Sequence, residues 1–427
     1  MIYNLSKFNK SWGTKRLNEL GTFKRGQSKY RPRNDKKLFE NGTYPLVQTG
    51  NIKSANLYVN QHSQMYNDFG LKQSKLWPEG TLCVTIAANI AETAILSYPM
   101  CFPDSVVGFN AFEDECSEIY MHYVFTYIRK TIQKRIRGSI QDNINIDYLM
   151  QLRFQIPKPA DQQKIAKVLS TIDEKIELNN RINEELEALS KLIYDYWFVQ
   201  FDFPISAEQA VSMGRPHLEG KPYKSSGGPM VYNPTLKREI PEGWLDGKLE
   251  DVAEITMGQS PPGSSYNDEG EGELFFQGST DFGTVFPEVR QYTTKPTRYA
   301  KSGDVLLSVR APVGTMNIAH RNCSIGRGLA SLRSRKDRMS YFLSVMRQFE
   351  KYFERLNSSG TTFGAINRDE LRFLKIILPD DAIIEHFESV TSEYPKLIHN
   401  NHSSTLQLTE LRDWLLPMLM NGQVTVK

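Results

Sequence analysis

"WGTKRLNELGTFKRGQS" (12–28) has a counterpart much later in the same chain, "WLDGKLEDVAEITMGQS" (244–260). Trp12, Leu17 and Gly26-Gln27-Ser28 align with Trp244, Leu249 and Gly258-Gln259-Ser260 at one shift of 232 positions. Between them Arg16 and Glu19 become Lys248 and Asp251, so charge is kept where identity is not. A Gly-Gln-Ser turn set among Lys and Arg invites reading as a phosphate loop, but its recurrence in register with Trp and Leu marks an internal repeat.

The rest of the chain extends the match. "YPLVQTGNI" (44–52) resembles "LFFQGSTDF" (274–282), with Gln48 opposite Gln277 at a shift of 229, and "GTLCVTIAANIAETAIL" (80–96) resembles "GDVLLSVRAPVGTMNIA" (303–319) at 223. Each half closes alike: "INIDYLMQLRFQIP" (144–157) matches "AINRDELRFLKIILP" (365–379) at 222, bringing Asn145 and Pro157 opposite Asn367 and Pro379. The shift changes only where loops gain or lose residues. Short apolar runs bounded by Gly, Pro and Asn read as strands, and "YMHYVFTYIRKTIQKRI" (120–136) and "MSYFLSVMRQFEKYFERL" (339–356) read as helices. Each copy is therefore a mixed α/β domain, in a chain whose class is α+β.

A long Gly-free helical pattern follows each domain. Ile165, Leu169, Ile172, Ile176 and Asn179, then Ile182, Leu186, Leu189, Ile193 and Tyr196, step by fours and threes as a heptad seam does. At a shift of 222 the second copy gives a weaker seam from Phe387 to Met418, with Asn401 opposite Asn179 and with Pro395 and Pro417 predicting a late start or a kink. Two equivalent stripes predict an antiparallel coiled coil about a pseudo-two-fold axis, with Asn179 and Asn401 as a polar layer fixing register. The expected organisation is a first domain over 1–155, a central helix over 156–200, a connecting segment rich in Pro and Gly over 201–243, a second domain over 244–378 and a C-terminal helix over 379–427.

The net charge of +3 divides unevenly: residues 1–159 carry 21 Lys/Arg against 13 Asp/Glu, 160–200 carry 5 against 8, and 201–427 carry 26 against 28. The first domain is the basic one, which permits a polyanionic partner without requiring it. Cys83, Cys101, Cys116 and Cys323 show no metal spacing, no apolar run is long enough to span a bilayer, and the start lacks a signal-peptide core, so the cytoplasm and free thiols are expected.

Catalytic motifs are missing. There is no GxxxxGK[ST], no Asn/Asp-Pro-Pro-aromatic methyltransferase motif, no HExxH and no GxSxG, and "GRG" at 326–328 is too short to define a nucleotide site. His399 and His402 lack an acidic or Cys partner at helical spacing and read as solvated, so no metal is expected. Asp173, Glu174 and Lys175, although part of an Asp-x-Lys fragment, read as exposed charges on the heptad helix.

Two mixed domains each followed by a long helix resemble the specificity (S) subunits of type I restriction-modification systems across essentially the whole chain. The most specific stretches are "IPKPADQQKIAKVLSTIDEKIELNNRINEELEALSKLIYDYWFVQFDFP" (156–204), "GKPYKSSGG" (220–228), "LKREIPEGW" (236–244) and "LTELRDWLLPMLMNGQVTV" (408–426). The helix-opening Pro-x-x-Glu-Gln of that family stands here as Pro159-Ala160-Asp161-Gln162-Gln163, and the second copy, "PDDAIIEHF", has no Gln. The resemblance implies a non-catalytic reader of double-stranded DNA. Each target-recognition domain would read one half of a bipartite, asymmetric target while the helices space them and dock two methyltransferase subunits. Those partners would bind S-adenosylmethionine and methylate adenine, a motor-nuclease subunit would join for cleavage, and no cofactor would be bound by this chain. Helices of about 41 residues span roughly 60 Å, close to two turns of duplex. The competing reading is a solitary DNA-binding or scaffold protein of the same tandem design.

Phosphate contact needs exposed Lys and Arg, and base reading needs paired donors and acceptors. The first domain offers Lys24, Arg25, Gln27, Lys29, Arg31, Arg33, Lys36 and Lys37 around its Gly-Gln-Ser turn, then Gln48 and Asn51, then Gln141 and Asn143. The second offers Gln259, Ser260, Gln277, Ser279, Thr280, Arg310, Arg327 and Arg333. Its turn lacks the basic flank, so its positive charge is expected in Arg310 and the segment from Arg327 to Arg338.

Overall fold

The apolar runs read as strands form the same two sheets twice. In the first copy Gly21–Arg25, Val106–Ala111, Leu82–Thr85 and Thr93–Leu96 lie side by side, and in the second Ala253–Met257, Leu329–Ser334, Val305–Ser308 and Met316–Ile318 take the same order, all antiparallel. The registers also agree: Val107 faces Arg25 as Ala330 faces Met257, and Phe109 faces Leu82 as Leu332 faces Val305. These pairs are related by the shifts of 232 and 223 read from the sequence. Because side chains alternate across a sheet, a one-residue slip would turn the apolar set outward, so the shared register means both copies bury the same face.

The second sheet repeats too. Tyr44–Leu46 runs parallel to Met100–Cys101 between Gln64–Tyr66 and Leu76–Trp77, and Glu273–Phe276 runs parallel to Cys323–Ile325 between Tyr292–Thr293 and Tyr299–Ala300. A two-stranded pair closes each copy, Gly13–Arg16 with Arg153–Ile156 and Leu245–Lys248 with Lys375–Leu378.

This structure is a computed structural model and describes residues 8–9, 11–87, 89–137, 146–358 and 364–426. The chain divides into two compact units, one made of the chain up to Asn180 together with Ser403 onward, the other of Arg181–His402.

Local chemistry explains why particular positions recur. Glu19 accepts a hydrogen bond from the Arg16 amide and Asp251 from the Lys248 amide, each closing a one-turn helix, so an acid is retained at both positions. Asn367 caps Arg368–Arg372 by accepting from the Glu370 amide at 2.9 Å, while Glu370 accepts from the Asn367 amide. The matching Asn145 lies outside the described residues.

The glycine of Gly-Gln-Ser is required sterically in both copies. Gly26 donates to the Val106 carbonyl, and a Cβ there would lie 2.4 Å from the Pro103 carbonyl oxygen; Gly258 donates to the Leu329 carbonyl, and a Cβ would lie 2.2 Å from the Gly326 carbonyl oxygen. The obstacles are backbone, which cannot step aside. Gly26→Ala and Gly258→Ala are each expected to destabilise their own unit by about 1–3 kcal/mol. Gly13→Ala, with nothing within 4 Å of the new methyl, should change stability by under about 0.5 kcal/mol, and urea titration of the three variants against wild type measures the difference.

In the first unit Glu118–Arg137 packs on the central sheet, and Ile165, Leu169, Leu416, Leu419 and Met420 join the same buried core. The long helix Pro159–Tyr194 and the end of Glu393–Met420 run antiparallel in this unit, since Asp173 meets Arg412 and Asn179 meets Thr405. The opposite ends run antiparallel in the second unit, where Asn183 meets Asn401 and Tyr194 meets Phe387. The C-terminal pattern breaks at Ser392, between Asp381–Thr391 and Glu393–Met420, and Pro417 lies inside the latter.

Two expectations need correction, the heptad seam and the Asp173 charge, and the connecting segment gains detail. Leu189, Leu411 and Tyr196 belong to the heptad stripes but are 42%, 44% and 38% exposed. After Asn179 the next buried residues are Tyr194 and then Trp197 and Phe198 in the π-helical turn Asp195–Val199, which pack in an aromatic cluster with Phe387 and Tyr341. The connecting segment is ordered: Phe203 stacks on Tyr223 and Trp244, Asp202 accepts from the Ser225 amide and hydroxyl, and Met230–Asn233 pairs with Arg238–Pro241. Asp173 is buried, not an exposed helix-face charge.

His122 adds a pH dependence. Its ring is buried beside the Thr93 hydroxyl at 3.1 Å, and burial, followed by the charges of Arg129 and Arg412, holds its pKa down to about 3. A pKa depressed below the unfolded value means the unfolded chain takes up the proton first, so stability rises with pH between about 3 and 6.5. The contribution falls by up to about 1.4 kcal/mol per pH unit as pH drops through that window. His122→Gln should flatten the pH dependence of the first unit's denaturation midpoint.

Candidate nucleic-acid interface

In the second unit three stretches far apart in sequence meet at one corner. The Gln277 amide nitrogen donates to Ser260 Oγ at 3.0 Å, the Arg327 backbone N–H also reaches Ser260 Oγ at 3.2 Å, and Gly326 and Gly328 donate to the Phe276 and Gln277 carbonyls. The Gly-Gln-Ser turn, the strand end at Gln277 and the "GRG" loop thus form a single structure. A Cβ on Gly326 or Gly328 would meet Gln277 at 2.7 and 2.6 Å, so this Gly-x-Gly is an arrangement for close packing. Gln259 stays exposed, its amide bonded to the Ile325 carbonyl and its carbonyl to Thr297. Ser279 and Thr280 continue from Gln277 in the turn Ser279–Asp281, where Asp281 accepts from the Gln277 amide and Arg290 donates to the Thr280 carbonyl.

The first unit builds its corner around Gln64–Tyr66. Gln48 donates to Gln64 Oε1 at 2.8 Å, and its amide is accepted by Asn51 Oδ1, which anchors the helix Thr49–Ser54. Ser28 bonds to Tyr66 beside it. Gln27, between Gly26 and Ser28, is exposed.

The cations divide into two groups. Lys24, Arg25, Lys29, Lys36 and Lys37 are exposed and, among the described residues, have no carboxylate within ion-pair distance. Arg33 instead forms a two-pronged pair with Asp104 at 2.6 and 2.8 Å, and Arg31 lies 3.6 Å from the same carboxylate. The latter two hold the loop in place.

The second unit separates more sharply. Arg310 and Arg327 are exposed without an ion pair among the described residues. Arg333 is clamped by Asp304 at 2.7 and 2.9 Å, Arg335 donates to the Glu250 carbonyl, Lys336 pairs with Asp381, and Arg338 pairs with Asp381 and Glu385. The segment from Arg333 to Arg338 therefore spends its charge on packing, a correction to the expectation drawn from its composition. Gln141 and Asn143 lie outside the described residues.

Asn179 is buried and donates to Thr405 Oγ1 at 3.3 Å, and Asn401 donates to Asn183 Oδ1 at 2.9 Å. His399 and His402 are not free on a helix face, since both rings pack against Phe286, at 5.0 and 4.7 Å. No cluster of three or more metal-ligating side chains occurs among the described residues, and no described helix is long and apolar enough to cross a membrane.

The same mixed domain thus occurs twice, each copy carrying an amide-rich loop corner. The family model for the type I restriction modification DNA specificity domain matches residues 9–188 and 241–393, once in each copy. The chain belongs to this family, whose members are non-catalytic DNA-recognition subunits. It is 32% identical over 328 residues to a putative type I restriction enzyme MjaX specificity subunit of Methanocaldococcus jannaschii, covering 73% of this chain and 70% of that one. The MjaIX specificity subunit of the same organism is 24% identical over 454 residues, covering 99% and 96%. A crystal structure of a type I restriction-modification S subunit from M. genitalium shares the fold with a TM-score of 0.63 at 15% identity, covering 98% of this chain and 99% of that one.

Proposed function

We propose that this chain is the specificity subunit of a type I restriction-modification complex, each domain reading one half of a bipartite, asymmetric DNA target. The observation that carries this reading is the pair of loop corners, which set the same repeat glutamine, Gln48 or Gln277, among different partners, Gln64 in one unit and Ser260 with the Gly-Arg-Gly loop in the other. Shared backbone gives both domains one docking mode, and different side chains let the half-sites differ. Lys24, Arg25, Lys29, Lys36 and Lys37 supply phosphate contacts to the first domain, and Arg310 and Arg327 to the second. Gln27, Gln48, Asn51, Gln259, Gln277, Ser279 and Thr280 are the candidate base readers.

The helices act as spacer and dock. The central helix, 36 residues long, spans about 54 Å. Its antiparallel pairing with the C-terminal helix as a coiled coil about a pseudo-two-fold axis, with Asn179 and Asn401 fixing register, would set the distance between half-sites. Leu189 and Leu192 stand 42% and 64% exposed, and the residues 222 positions later, Leu411 and Trp414, stand 44% and 58% exposed. Two apolar pairs at equivalent repeat positions suit two copies of one partner, the methyltransferase subunit that binds S-adenosylmethionine.

Leu192→Glu and Trp414→Glu test this arrangement. Wild type is expected to purify with two methyltransferase subunits, each single variant with one and the double variant with none, read by native mass spectrometry. Retention of both subunits by the double variant would remove these patches as docks.

A further inference from the structure

We infer that Asn56, Tyr123, Asp173 and Arg412 form a polar lock that seats the readout loop of the first domain on its helices, making them positioning residues for one half-site only. The inference rests on the function proposed above. Asp173 is 2% exposed; one carboxylate oxygen accepts from Arg412 Nη1 at 2.8 Å and the other from the Tyr123 hydroxyl at 2.6 Å. Asn56 closes the set, accepting from Arg412 Nη1 and donating to the Asp173 carbonyl, both at 3.3 Å. The four groups come from four different elements: the helix packed on the domain's sheet, the central helix, the C-terminal helix and a loop.

That loop leads directly to the candidate readers. Asn56 lies two residues beyond the helix Thr49–Ser54, whose cap is Gln48 and whose third residue is Asn51. A carboxylate held as deep as Asp173 is satisfied in one geometry alone, so the set specifies a seating more than it adds stability. Fixing Asn56 fixes one end of the six-residue helix whose other end is Gln48.

The second unit provides an internal control. At a shift of 222, Asp173 becomes Pro395 and Arg412 becomes Ser190. Tyr123 becomes Ser344, counting from helix starts at Glu118 and Met339. Asn56 becomes Thr284, because Leu57 and Val285 accept the equivalent hydrogen bonds from Ile95 and Ile318. None of the replacements is charged. In their place is a cavity of about 380 Å³ lined by Thr284, Ser190 and Pro395, and by Arg347 and Glu187, which lie 3.4 Å apart and join the helix that starts at Met339 to the central helix. The second domain's loop is instead held by Phe286 against His399 and His402, a contact without directional hydrogen bonds.

The test uses the full-length chain, Asn56→Ala and Arg412→Gln, with two readouts. In hydrogen–deuterium exchange, Asn56→Ala is expected to speed exchange over residues 48–57 by about tenfold and leave 276–286 unchanged. In selection from duplexes randomised over about 30 base pairs, three helical turns, it should lose sequence preference in one half-site and keep the other, with an unaltered melting temperature. Arg412→Gln should reproduce both effects with lower stability. Unchanged exchange over 48–57, or equal loss in both half-sites, would overturn the inference and leave the lock a stability element. A wild type that enriches no motif would defeat the functional reading, while the exchange result would still decide whether Asn56 positions the loop.

Discussion

A chain carrying Lys24, Arg25, Lys29, Lys36 and Lys37 all as Gln is expected to bind duplex DNA about three orders of magnitude more weakly at low salt than wild type. Each phosphate neutralised by a cation releases counterions and contributes about 0.9 to the slope of log K against log salt, so losing five contacts should flatten that slope by up to about 4.5. These five are chosen because each is exposed and lacks a carboxylate partner among the described residues. Arg33, already engaged by Asp104 at 2.6 and 2.8 Å, serves as the contrast, and Arg33→Gln should act mainly through loop order. Sequence preference within the second half-site should survive the fivefold change, since phosphate contacts position without specifying. A fluorescence-anisotropy salt titration decides the matter. An unchanged slope would mean that the basic cluster faces away from DNA.

Arg412→Leu is expected to destabilise the first unit by about 3–5 kcal/mol, the usual cost of stranding one member of a buried ion pair. The carboxylate of Asp173 has only a 2% exposed side chain, and Tyr123 alone cannot replace the lost charge. Replacing both partners, Asp173→Leu with Arg412→Met, should recover part of the loss, because two apolar groups of similar volume need no pairing while the buried Tyr123 hydroxyl is left without its acceptor. Urea denaturation followed through hydrogen exchange of Glu118–Arg137 measures both variants. Equal destabilisation by the single and double changes would indicate that packing, not the stranded charge, sets the cost.

How legible each feature was depends on the distance over which its cause acts. The repeat was readable because its landmarks are local: Gly26 and Gly258 each admit no Cβ, Glu19 and Asp251 each close a helical turn of four residues, and paired strands preserve alternation. From these the sheet register follows at the same shifts. The corner at Ser260, Gln277 and Arg327 was readable residue by residue, although the use of Gly326 and Gly328 to pack against Gln277 was not. Asp173 defeated the periodic reading because its partner lies 239 residues away, and no pattern in a single helix announces it. Arg333 and Arg338 look like a basic segment in sequence, yet Asp304, Asp381 and Glu385 arrive from distant strands and helices to occupy them. Leu189 and Leu411 read as members of the heptad stripes, which hid that each stands exposed beside an apolar residue outside its stripe, Leu192 or Trp414.

The central claim, that two different domains of one chain direct adenine methylation to a bipartite target, is tested most directly by mapping methylated adenines across the genome with and without this protein. The account predicts the loss of a single motif made of two unlike half-sites separated by an unread spacer of fixed length. Unchanged methylation, or loss of a continuous palindromic motif, would contradict it.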